Sequence, residues 1–130
     1  MREIMKILPV TVDGKSQDFR LTKLDAFSGA SLLRMLSGMR KDLGDDSVLG
    51  FITSLSEPDL RSLMITCLQH CEVLLPAGWM PVMTRGEWTY PELEHDTAVC
   101  LKLTIEEVLW TLEGFFGGGA SGSLPEIPGS

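Results

Sequence analysis

Two short runs near the start of the chain favour strand. Residues 5–12 are rich in strand formers, and Gln17–Thr22 alternates polar with apolar. Asp13-Gly14 stands between them, a dipeptide suited to a tight hairpin turn, so residues 5–23 predict a β-hairpin. A lone hairpin is marginal in water, so this one must pack on its own chain or join another chain's sheet.

From Leu24 the period lengthens. Leu32, Met35, Leu36, Met39 and Leu43 fall on one stripe of a helix over 24–43, with Gly44 as its stop. Phe27 and Leu33 lie off that stripe. The helix thus has more apolar surface than one core face needs, which makes Phe27 and Leu33 the candidate protein contact. Asp45-Asp46-Ser47 can cap a short helix over 46–55. Ser56 suits the N-cap of a helix over 57–74, with Glu57 and Asp59 at its positive start and Pro58 in its first turn. Leu60, Leu63, Met64, Cys67, Leu68, Cys71 and Leu75 mark its apolar stripe.

Pro76-Ala77-Gly78 ends that pattern. Trp79–Pro91 reads as an aromatic loop with a small hairpin about Arg85-Gly86. A helical segment follows over 92–102. Thr104 and Glu107 have capping-box spacing, so a separate last helix is expected over 105–116. Gly117-Gly118-Gly119 stops it, and the Gly-, Ser- and Pro-rich remainder has no apolar period. The expected fold is mainly α: one helical domain over 1–116 with an N-terminal β-hairpin, then a disordered glycine-rich tail over 117–130.

Composition narrows the function classes. A chain of 130 residues suits one domain, and 44% hydrophobic with 22% charged residues is an ordinary globular balance. The net charge of −7 argues against a nonspecific nucleic-acid partner, which would require a basic surface. No run approaches the roughly 18 apolar residues of a membrane span. Ile7-Leu8-Pro9-Val10 is shorter than a signal-peptide apolar region and contains a proline. Three loosely spaced cysteines suggest no disulfide framework, which fits a reducing compartment. The charge is also polarised. Residues 1–41 hold eight basic and four acidic groups, whereas 42–130 hold three basic and 14 acidic. Opposite ends of this kind can meet between copies, so head-to-tail self-association is expected.

Little of the sequence suggests catalysis. On a helix, Cys67, His70 and Cys71 would share one side, and His95 or Cys100 could add a fourth zinc ligand. Cys67 and Cys71 also continue the apolar stripe, where cysteine behaves as a small hydrophobe, and that reading is the stronger. Glu94-His95-Asp96 with Cys100 or Ser31 lacks the convergence from separate points that a triad needs. Glycines after a helix are in the wrong place to cradle phosphate. No catalytic residue, metal ligand or cofactor is assigned.

The outline is a small acidic chain with a strand-like start, a glycine-rich tail and the run Cys-Leu-Lys-Leu-Thr-Ile-Glu-Glu-Val-Leu at 100–109. Over residues 5–116 it resembles a tail assembly chaperone of a long-tailed bacteriophage or prophage. The resemblance implies a non-enzymatic, mainly helical, oligomerising protein of the host bacterial cytoplasm. It would bind the tape measure protein, promote assembly of tail tube protein around it, and be absent from the virion. It also implies a longer product made by programmed frameshifting, and the codons of Phe115–Gly119 can be homopolymeric. The alternatives are a secretion-type chaperone, a class richer in mid-chain strands, and a Cys/His metal enzyme.

Overall fold

The structure, a computed structural model, describes residues 4–35 and 45–115. Its elements run β1 (Met5–Val12), β2 (Lys15–Thr22), α1 (Ala26–Met35), α2 (Asp45–Thr53), α3 (Glu57–Leu68), β3 (Cys71–Leu75), β4 (Gly78–Pro81), β5 (Met83–Thr84), β6 (Glu87–Trp88) and α4 (Thr97–Phe115). A short 3-10 turn, Pro91–Leu93, precedes α4. The second half of the helix expected over 24–43, with Leu36, Met39 and Leu43, lies outside the described residues. So do the expected tail over 117–130 and residues 116–119 of the stretch whose codons can be homopolymeric.

Strands β1 to β4 form one antiparallel sheet in sequence order, and β5 with β6 forms a small separate hairpin. With four helices beside this sheet the fold is α/β, which corrects the mainly-α expectation. The first correction lies at the end of α3. Gln69 closes the helix by donating to the Ile65 carbonyl at 3.0 Å. Cys71–Leu75, expected as its last turn, is instead strand β3. Cys71 and Leu75 are four residues apart, a spacing shared by one side of a strand and one face of a helix. The aromatic stretch after it, expected as a loop, contributes strand β4, while the small hairpin expected about Arg85-Gly86 is β5–β6.

The second correction concerns α4. It is one 19-residue helix, with no break between the segments expected over 92–102 and 105–116. Asp96 caps it, its Oδ1 accepting the Val99 N–H at 3.1 Å. Thr104 does not cap anything. Its hydroxyl donates back to the Cys100 carbonyl at 2.9 Å, and Glu107 is fully buried.

Turn chemistry sets the register. Asp13 and Gly14 both take positive φ, 52° and 78°, and join Val12 to Lys15 in a two-residue loop. Arg85 and Gly86 do the same between β5 and β6, at 54° and 77°. The β2–β3 seam pairs Phe19 with Val73 and Leu21 with Cys71, all four fully buried.

The helices lie on one face of the sheet. Phe19, Leu21, Leu68, Val73, Leu93 and Leu103 belong to a core cluster between sheet and helices. A second cluster is helical and includes Leu32, Val48, Ile52, Leu63, Cys67, Val108 and Leu112. On the other face Met5, Ile7, Pro9, Leu74 and Pro81 remain exposed.

The hydrogen-bond parity fixes which groups point outward. Lys23 N–H donates to the Ile4 carbonyl at 2.8 Å, so the even residues of β1 bond to β2. The N–H and C=O of Met5, Ile7 and Thr11 therefore face the free edge, as does the nitrogen of Pro9. Val82 N–H donates to the Cys71 carbonyl at 3.0 Å, which by the same alternation turns Trp79 and Pro81 outward on β4. Each sheet edge thus carries a proline where no donor to its neighbour strand is lost.

Candidate functional site

An open groove of about 460 Å³ runs between α3, the β5–β6 hairpin and the start of α4. Leu68, Met83 and Cys100 are buried at its floor. Leu60, Met64, Ile65 and Trp88 stand half-buried along its walls. Glu57, Arg61, Glu94 and His95 are exposed at the rim. The helical period of α3 aims Leu60, Met64 and Leu68 into one line. Gln69, just past the end of α3, accepts the Gly86 N–H on Oε1 at 2.7 Å and thereby holds the hairpin wall against the helix. The volume is that of an ordinary ligand cleft. An apolar line with unbranched methionines and a charged rim can take the apolar side of a helix.

The sequence-derived contact residues fall elsewhere. Phe27 is 87% exposed and borders a smaller cleft of about 210 Å³ between α1 and α3, along with Leu24, Met35 and Leu63. Leu33 is half-buried against the helical core cluster instead. Leu60 and Met64, read as core, are groove walls, while Leu63, Cys67, Leu68 and Cys71 are buried. Nothing in the sequence brings Met83 and Trp88 beside α3, and Glu94, weighed there only as part of a triad, stands at the groove rim.

The cysteine and histidine candidates do not converge. His70 Nδ1–H donates to the Thr66 carbonyl at 2.8 Å, and Nε2 lies 3.5 Å from Asp25 Oδ1. Asp25 in turn accepts the Phe27 and Ser28 N–H groups, each at 3.2 Å, at the start of α1. Hydrogen bonding from Ser28 holds its carboxyl below the ordinary value. Burial pushes the Cys67 and Cys71 thiols well up, and Cys100 up to about 11. His95 sits at the groove rim, and Ser31 borders the smaller cleft. Among the described residues no three His, Cys, Asp or Glu side chains gather as a metal site.

Glu107 is the unusual charge. It is 0% exposed, neither carboxyl oxygen has a hydrogen-bond partner among the described residues, and burial pushes its pKa up to about 8. Lys6 draws it partly back.

No protein-family model, curated protein or solved structure matches the chain. Among the described residues no helix is long and apolar enough to cross a membrane.

Proposed function

We propose that the protein is a small non-enzymatic chaperone that holds an apolar helical segment of a client in the α3–β5–β6–α4 groove. The observation that carries this reading is the line of Leu60, Met64 and Leu68 facing Met83 and Trp88 across an open cleft with a charged rim. Apolar surface left accessible inside a soluble acidic chain fits a partner-binding role. The resemblance over residues 5–116 nominates the tape measure protein as client. Tail tube protein is the second partner, and head-to-tail association, suggested by the basic residues 1–41 and the acidic residues 42–130, would present several grooves together.

One observation favours the second reading, a secretion-type chaperone. Strands β3 to β6 occupy the middle of the chain, where the sequence pattern had suggested the end of a helix and then a loop with one small hairpin. Both readings share the groove and differ in the client.

Co-expression tests the reading. A phage tape measure protein, the nominated client, should precipitate when made alone and stay soluble when made with this chain. Met64→Glu, which puts a charge on the groove wall, should abolish that protection while the chaperone itself stays folded. Equal protection by Met64→Glu would remove the groove from the function. Failure of the wild-type chain to protect that client, with protection of a secreted substrate instead, would select the second reading.

A further inference from the structure

The two edges of the sheet are not equally closed. On β4, Pro81 leaves Trp79 as the one outward N–H of the strand interior. On β1, Met5 and Ile7 each present both N–H and C=O to the free edge, and Pro9 interrupts the row only after them. This half of β1 is also the most apolar exposed stretch. Ile4, Met5 and Ile7 are 56%, 42% and 59% exposed, half of the large exposed apolar side chains among the described residues.

The charge beside it is positive. On the helix side, Lys6 and Lys23 lie over the Trp110 ring at 5.0 and 5.6 Å. Lys102 lies 3.5 Å from Glu106, which Lys6 also approaches at 3.9 Å. Three lysines thus gather about Trp110 and one half-buried carboxylate, Glu106, on a chain whose net charge is −7.

We propose that Ile4 and the first half of β1, residues 4–8, are a strand-acceptor site for an extended acidic segment of another protein, which adds as a fifth strand. Alternate residues of such a segment lie on the two sheet faces. Its apolar residues pack beside Met5 and Ile7 on the open face, and its acids face Lys6 and its lysine neighbours on the other. Main-chain bonds to Met5 and Ile7 supply the attachment, and the alternate side chains supply the selection. Pro9 sets the length, since it offers no donor for pairing to continue. A second copy of this chain is the poorer occupant, because β1 against β1 brings two lysine clusters together. The site shares no residue with the groove and does not depend on the client reading.

The test uses the full chain and a fluorescein-labelled short peptide alternating valine with glutamate, beside its valine–lysine counterpart. Anisotropy should show binding of the glutamate peptide, weakening as salt rises, and binding of the lysine peptide about tenfold weaker or less. Ile7→Pro deletes one outward donor and no β1–β2 bond, so it should abolish binding with circular dichroism and Tm retained. Thr11→Pro, beyond Pro9, should leave binding intact. If Ile7→Pro disturbs the hairpin, hydrogen exchange on the unaltered chain decides: the Met5 and Ile7 amides should slow when the glutamate peptide is added. No binding, equal binding of the two peptides, or binding without slowing at those amides overturns the proposal.

Discussion

Arg20 on β2 stands directly opposite Glu72 on β3, and its Nη2 and Nε reach the same carboxylate oxygen at 2.6 and 2.8 Å. The guanidinium also lies over the Trp79 ring, 4.5 Å from its centroid, so one side chain ties together three neighbouring strands. Both partners are about three-quarters covered, so the pair exceeds a surface ion pair without being a desolvated one. A double-mutant cycle with Arg20→Met and Glu72→Gln in urea should give a coupling of about 1 kcal/mol, smaller at high salt. Coupling near zero at low salt would make the contact incidental to the seam.

Glu107 should make stability fall as pH rises. The unfolded carboxyl releases its proton near its ordinary value, while the folded one keeps it up to about 8. Between those limits the native state holds one proton more than the unfolded state, and stability declines by about 1.4 kcal/mol per pH unit at most. Above the folded value the decline stops. Urea midpoints from pH 5 to 9 should therefore slope downward for the parent and stay flatter for Glu107→Gln, which should be the more stable protein above neutral pH. Parallel curves would show that Glu107 is solvated in solution.

Leu68 and Phe27 should behave oppositely. Leu68 is 2% exposed in the sheet-side core, so Leu68→Ala should cost ~2–5 kcal/mol. Phe27→Ala removes a side chain that is 87% exposed and should change stability by no more than about 0.5 kcal/mol. Thermal denaturation of the two variants checks both.

The cap of α4 can be assigned by mutation. Asp96→Ala should cost about 1 kcal/mol, the usual value for a lost N-cap. Thr104→Val, which keeps the shape and loses only a bond back to the Cys100 carbonyl, should cost clearly less. The reverse order would place the helix start at Thr104.

Sequence reading reached the elements whose signals are local. The β1–β2 hairpin carries its own turn, Asp13-Gly14, and α3 carries its own cap, since Ser56 Oγ accepts the Asp59 N–H at 3.3 Å. The rest of the sheet was hidden because its seam is remote: Arg20 and Glu72 are 52 positions apart, and nothing near either announces the other. Cys71 and Leu75 satisfied both periods, so the longer helix absorbed the strand. Thr104 and Glu107 matched a capping box, yet Asp96, with Val99 in reach, was the residue that ended the preceding turn. The groove was half legible. Leu60 and Met64 lay on a visible stripe, but its far wall comes from a hairpin more than 15 positions away, and a stripe does not say whether it faces core or cleft.

The last helix joins everything that precedes it. Leu103 belongs to the sheet-side cluster, and Val108 and Leu112 belong to the helical one. Synthesis runs from the N-terminus, so the sheet and the first three helices leave the ribosome before the element that seals them. Until α4 arrives, Phe19 and Leu21 on the sheet and Leu32 and Leu63 on the helices each lack a neighbour. Before α4 forms, α3 covers the inner face only in part, through Leu68, and a sheet and short helices so incompletely packed are marginal. Both core clusters are therefore complete only once α4 is in place. Thr97 and Cys100 of the same helix line the groove. A nascent chain consequently lacks that wall of the groove until α4 has formed.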